Sequence, residues 1–353
     1  MRKRILKFHE AIREAIDLNM AESSDVYLIG LGVTDPKGVF GTTLGLQQKY
    51  GSNRVMDMPI SENGITGVAI GSALVGMRPI ISHQRIDFAI TSMDQIVNQA
   101  ANWHYMFGGQ IGVPLVVKIV IGRGWGQGPQ HSQSLQTYFA HVPGLKVVMP
   151  TTPYDAKGLL VSSIRDNNPV IFIEHRWLHN ISGHVPEGLY NVPIGQPKII
   201  KEGKEITIVS ISYMTLEAIR AAEMLEKDGI SAEIIDLRTL KPFDDRIILE
   251  SVRKTGRLVV ADTGWLTAGF CTEVITRVVE KAFKYIKSPP KRLALLDCPT
   301  PTSPALAKYF YIRDVHIYAT VKNMLGYEVD ESILKPDDSI LYDVPDSTFT
   351  GPF

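Results

Sequence analysis

The 353-residue chain is poor in cysteine, with only Cys271 and Cys298, has no excess of either charge and contains no long apolar run. Two cysteines cannot build a disulfide framework or a four-cysteine zinc site. Both read as small buried apolar residues of a reducing compartment. Lys plus Arg and Asp plus Glu each number 37, so no global basic field exists to hold nucleic acid or an anionic membrane. The apolar run Val113 to Ile121 is strand-length and carries Lys118, too short and too polar to span a bilayer. Basic Arg2, Lys3 and Arg4 are followed by Lys7, His9 and Glu10 rather than by an apolar segment, so secretion is not expected. The expected location is the cytoplasm, or the mitochondrial matrix if a presequence has been removed. Familiar motifs are missing as well. There is no Rossmann Gly-x-Gly-x-x-Gly, Walker loop, His-Glu-x-x-His, Gly-x-Ser-x-Gly or EF-hand pattern.

What remains is ordinary globular composition, 44% hydrophobic and 21% charged, and a length that suits two domains. Strand-like and helix-like segments alternate. Val26–Leu31, Pro79–His83, Val113–Ile121, Val147–Pro150 and Pro169–Glu174 read as strands, separated by helical patterns that include 6–21, 134–141 and 154–165. This alternation predicts a parallel α/β domain over 1–185. Ser92 is placed to cap a helix starting near Asp94. Residues 186–203, low in periodicity, read as a connection. A second α/β unit spans 204–325, and 326–353 is an acidic tail with seven acidic residues, one Lys and three Pro.

Three local features suit a site. Glu62 stands in Ser61-Glu62-Asn63-Gly64 ahead of a helix rich in small residues (Gly67, Ala69, Gly71, Ala73). His131 follows a glycine-rich loop, Gly122 to Gly128. Phe88 follows the strand ending at His83. Read from the residues alone, each has a plain alternative: a first-turn carboxylate, a loop histidine bonded to backbone and a core aromatic.

Longer blocks narrow the choice. DMPISENGITGVAIGSALVGMRPI (57–80), DFAITSMDQIVNQAANWHYMFGG (87–109), QHSQSLQTYFAHVPGLKVVMP (130–150), DAKGLLVSSIRDNNPVIFIEH (155–175) and IDLRTLKPFD (235–244) resemble the beta subunit of the decarboxylating component of 2-oxo acid dehydrogenases, of the pyruvate, branched-chain or acetoin type. The resemblance covers about residues 5–325. It implies a transketolase-like α/β fold, with a pyrimidine-binding domain followed by a transketolase C-terminal domain. It also implies thiamine diphosphate held between subunits, with the diphosphate and magnesium on an alpha chain through a Gly-Asp-Gly…Asn motif. The sequence contains no Gly-Asp-Gly, so an α2β2 heterotetramer is expected, acting on a 2-oxo acid or acetoin and passing the acyl group to lipoamide on an acyltransferase core. Alternatives are a split transketolase-like enzyme that uses an aldehyde acceptor, and a non-catalytic partner subunit.

Carried over residue by residue, the resemblance implies that Glu62 exchanges a proton with the cofactor's aminopyrimidine at N1′. Phe88 stacks on that ring, Ile60 and Gln84 line the same pocket, and His131 serves acyl transfer on the substrate side. A potassium ion is implied at Leu115, Ser163, Ile164, Asp166 and Asn168, where oxygen ligands suit a hard cation. The sequence departs from the family pattern in HQRIDF (83–88), where Arg85 suits a substrate carboxylate, a phosphate or a partner's acid. It departs also in the Gly122–Gly128 loop with Trp125, in ADTGW (261–265), in LAKYFYIRD (306–314) and in the tail. Trp125 reads either as a packing indole or as part of a reshaped substrate entrance, and the second-domain departures put docking to the acyltransferase core in question.

Overall fold

The computed structural model describes residues 4–123, 127–336, 342–346 and 349. Trp125 lies outside them. Two sheets organise the chain. The larger runs in the order Thr239–Lys241, Lys146–Val148, Val170–His175, Val116–Ile121, Arg78–His83, Val26–Ile29, Val55–Met56. It is parallel except for the first strand, which pairs antiparallel with Lys146–Val148. The central strands are apolar on both faces because helices cover both sides, as parallel sheets require. Lys118, in the middle of Val116–Ile121, is fully buried and lies 2.6 Å from Glu174 on the neighbouring strand. Burial alone would raise the Glu174 carboxyl, but Lys118 and His179 beside it outweigh that and hold it low.

Helix Phe8–Glu22 lays Phe8, Ile12, Ala15, Ile16 and Met20 into the core and packs on helix Pro153–Arg165. The latter starts where Thr152 accepts from the Asp155 amide at 3.0 Å, with Pro153 at the first helical position. The second sheet orders Lys291–Leu295, Leu258–Trp265, Ile206–Ser210, Ala232–Asp236 and Lys198–Lys201, with the last antiparallel. The two units share one apolar core in which Ile171 and Ile173 pack with Val209, Ile235 and Phe270. Arg238 crosses the seam to Asp155 at 2.8 Å.

Three expectations are corrected. Lys198–Lys201, inside the stretch read as a connection, forms an edge strand; an exposed edge needs no clear apolar alternation to pair. Ser92 makes no cap bond: its hydroxyl is buried, and Asp94–Ala100 winds as a π-helix before α-helix Ala101–Met106. Cys271 is buried as expected, but Cys298 is exposed in the turn that follows Lys291–Leu295. Among the described residues no helix is long and apolar enough to cross a membrane, and no cluster of three His, Cys, Asp or Glu residues could hold a metal ion.

Candidate active site

In a parallel α/β sheet, ligands gather beyond the carboxyl ends of the strands, where loops rather than helix faces supply the walls. Every expected cofactor or catalytic residue of the chain lies at that edge. Strand Val55–Met56 leads into Ile60 and Glu62. Strand Arg78–His83 leads into Gln84, Arg85, Asp87 and Phe88, and strand Val116–Ile121 leads into Gly122 and, after the loop, His131.

Glu62 is the first residue of helix Glu62–Leu74, a position where the helix dipole favours a carboxylate. It is 7% exposed, whereas Ile60, two residues earlier, is 83% exposed. An isoleucine this exposed, two residues before a buried carboxyl, presents an apolar side chain to solvent. Gln84 donates from Nε2 to the Leu31 carbonyl at 3.1 Å. Gly32 permits this approach, since its φ is +71° and a Cβ there would fall 2.6 Å from that same nitrogen. Gln84 also lines a cavity of about 600 Å³ together with His9, Phe40, Arg176, His179 and Asn180.

Phe88 and His131 meet with ring centroids 5.3 Å apart. The imidazole is fixed from its other side, where Nδ1 lies 2.7 Å from the Asp87 carboxylate. Asp87 is a functional candidate that the sequence reading missed. Its signal was available: an acid directly before the expected stacking aromatic, on the short helix Ile86–Ile90. The second Asp87 oxygen is buried without a hydrogen-bond partner.

Arg85 is almost fully buried. Its Nη1 donates to the Gly122 carbonyl at 2.6 Å and its guanidinium lies 5.1 Å from the centre of the Phe40 ring, with Arg176 4.8 Å from the same ring. Burial and the nearby Arg176 lower its pKa to about 9.

The five residues of the expected potassium site do come together, at the turn between helix Pro153–Arg165 and strand Val170–His175. There the carbonyls of Ile164 and Asp166 each accept from Arg78 Nη1 at 3.0 Å. Lys146 binds the Asp166 carboxylate, whose other oxygen accepts from the Asn168 amide at 2.9 Å. The Leu115 carbonyl takes the Val170 amide at 2.9 Å, and that of Ser163 takes the Asp166 amide.

The donor set fits an aminopyrimidine: a buried carboxyl, an amide, an apolar wall and an aromatic face. The sequence carries no Gly-Asp-Gly to hold a diphosphate.

Comparison with known proteins identifies both domains of the chain. The transketolase pyrimidine-binding domain matches residues 5–180, and the transketolase C-terminal domain matches residues 195–317. The beta subunit of acetoin:2,6-dichlorophenolindophenol oxidoreductase from Cupriavidus necator is 43% identical over 332 residues, covering 91% of this chain and 98% of that protein. The pyruvate dehydrogenase E1 component subunit beta of Rickettsia felis is 40% identical over 320 residues, again 91% and 98%. The Bacillus subtilis acetoin:2,6-dichlorophenolindophenol oxidoreductase subunit beta is 38% identical, covering 92% and 98%. A solved split gene transketolase, an inactive beta4 tetramer, superposes with a TM-score of 0.73 at 23% identity over 92% of this chain and 100% of that one, a likeness of fold. The chain belongs to the family of beta subunits of thiamine-diphosphate-dependent 2-oxo acid dehydrogenases, built from a transketolase pyrimidine-binding domain and a transketolase C-terminal domain.

Proposed function

We propose that this beta subunit completes, with an alpha subunit in an α2β2 heterotetramer, an enzyme that decarboxylates a 2-oxo acid or cleaves acetoin and passes the acyl group to lipoamide. The observation that carries the reading is the pairing of a buried Glu62 and a Phe88–His131–Asp87 cluster at one sheet edge with the lack of any diphosphate motif. Half a cofactor site is built with care, which argues against a purely structural subunit.

Thiamine diphosphate, when bound, supplies an electron sink for the carbon–carbon cleavage. In this reading Glu62 holds and exchanges a proton at the aminopyrimidine N1′, and its burial keeps water from competing for it. Phe88 presents a flat apolar face to that ring, Ile60 closes the pocket against it, and Gln84 supplies an amide at its rim. His131, oriented by Asp87, moves a proton during acyl transfer, which an imidazole can do near neutral pH. Magnesium belongs with the diphosphate on the alpha subunit. A potassium ion at Leu115, Ser163, Ile164, Asp166 and Asn168 would share two carbonyls with Arg78. A cytoplasmic or mitochondrial-matrix location goes with this reading, and the unpaired Cys298 suits a reducing one.

The test is co-expression with the alpha subunit and assay of a 2-oxo acid panel and acetoin with an artificial electron acceptor, followed by addition of a lipoyl domain. Turnover of a 2-oxo acid or acetoin and acylation of the lipoyl domain are expected. Transfer only to an aldehyde would favour the split-transketolase alternative. Tight stoichiometric binding of thiamine diphosphate by the isolated chain would refute the half-site reading.

A further inference from the structure

The loop that leads to His131 begins at Arg123, and Arg123 is held by the other end of the molecule. Its side chain is fully buried, and Nη2 lies 2.9 Å from the Asp343 carboxylate, 220 residues away and itself nearly buried. The same guanidinium donates to the carbonyls of Pro301 and, at 2.7 Å, Thr302, while the Arg123 carbonyl accepts from Trp177 Nε1 at 2.7 Å. Five residues on, Gly128 packs so closely on Thr302 that a Cβ would fall 2.1 Å from its hydroxyl. The loop is therefore seated on the second unit at 123 and at 128.

Asp343 does not dangle. Arg313 donates to the backbone carbonyls of Tyr342, Val344 and Pro345 at 3.1 to 3.4 Å, Val344 is buried, and the Phe349 ring lies 4.9 Å from the Arg176 guanidinium. Both family domains end by residue 317, so this segment lies beyond them.

The seat connects to the site by a second route. Gly122, next to Arg123, accepts from Arg85, and two residues after Arg85 stands Asp87, the partner of His131. A buried guanidinium stripped of its carboxylate is poorly tolerated. Without Asp343, Arg123 would turn toward solvent and release the Gly122–Arg123 backbone, which fixes both Arg85 and the start of the His131 loop. We propose that Asp343 is a positioning residue that, through Arg123, holds His131 in register with Asp87 and Phe88. This rests on the assignment of acyl transfer to His131.

The experiment uses the full chain with its alpha subunit, measuring acyl transfer to lipoamide and, separately, single-turnover decarboxylation with an artificial acceptor. Asp343→Ala should lower transfer about 10-fold, within the range by which misplaced catalytic groups lose rate, with decarboxylation changed less than about threefold. Asp343→Glu should recover most of it. In a His131→Ala background, Asp343→Ala should cost no further transfer, because it acts through the missing imidazole. If Asp343→Ala yields no soluble protein, Asp343→Asn carries the test, with a loss of about threefold or more expected. Wild-type transfer in Asp343→Ala or Asp343→Asn, or losses that multiply in the double variant, overturns the inference. If His131→Ala alone transfers normally, the assignment of His131 has failed, and the inference falls with it for that separate reason.

Discussion

His131 Nδ1 lies 2.7 Å from the carboxylate of Asp87, and this one distance turns a loop histidine into an oriented group. A neutral imidazole held by an acid at one nitrogen keeps its proton there and turns the other nitrogen outward as acceptor. Phe88, 5.3 Å away, limits ring rotation. Asp87→Asn preserves size but can donate to Nδ1 and so favour the wrong tautomer. Acyl transfer should fall at least ~10-fold, a modest share of what a mis-set tautomer costs in hydrolytic triads. Transfer to lipoamide at normal speed in Asp87→Asn would mean that His131 works without Asp87.

Glu62 is a different kind of group, a buried carboxyl at a helix start. Glu62→Gln keeps the side chain's shape and a hydrogen bond while removing its ability to exchange a proton. Turnover should drop ~100-fold or more, the usual scale for one acid–base group, while the cofactor's dissociation constant changes far less. Steady-state kinetics beside a cofactor titration separates the two. An equal loss in both would make Glu62 a binding group only.

Much of this was legible in the sequence, and the part that was not has a pattern. Helix Phe8–Glu22 and the strands Val116–Ile121 and Val170–His175 declare themselves because burial on one or both faces dictates a period. Glu62, Phe88 and His131 were readable through blocks of family wording. Thr239–Lys241, which crosses to the larger sheet, was not, because three residues carry no period. Asp87 carried only one mark, its place directly before the expected aromatic, and an acid there looks like surface until the loop folds back. The Arg123–Asp343 pair spans 220 residues, and nothing local marks either partner.

Arg78 makes a further separable claim. It bonds the Ile164 and Asp166 carbonyls and, at 2.6 Å, the Asn167 side chain, so it neutralises the turn where potassium is expected. Arg78→Met removes a charged donor and leaves those acceptors facing each other. A loss of about 2 kcal/mol is expected for charge-assisted bonds that are partly exposed, or about 4–8 °C in melting temperature for a domain of this size. Potassium should restore part of that loss where sodium does not, because the carbonyls no longer shared with Arg78 then turn fully to the larger cation. An equal response to both salts would remove potassium from this turn.

The last prediction concerns acid stability. His83, His175 and His179 are buried and stay neutral in the fold. Burial lowers them to about 4, about 3 and about 4, with neighbouring charges adding to it at His175 and Glu174 opposing it at His179. In the unfolded chain each titrates near 6.5, so below that pH the unfolded state binds the extra proton. Each therefore removes about 1.4 kcal/mol of stability per pH unit as acid is added. Two buried carboxyls act in the other direction. Burial raises Asp236 to about 7, with Asp155 contributing, and Asp262 to about 6. Below those values, and down to the unfolded value near 4, the fold takes up the proton first and gains stability on acidification. Between about pH 6 and pH 4 these three losses face two gains, and burial holds His9 and His316 low as well, so stability should fall as acid is added by at least about one group's worth, ~1.4 kcal/mol per pH unit. Both His83 ring nitrogens are buried without a hydrogen-bond partner, so an apolar side chain of similar size can take its place at little cost. His83→Met should then flatten the acid limb in urea unfolding at pH 6, 5 and 4. A slope unchanged from wild type would show that His83 is already protonated, or already solvated, in the fold.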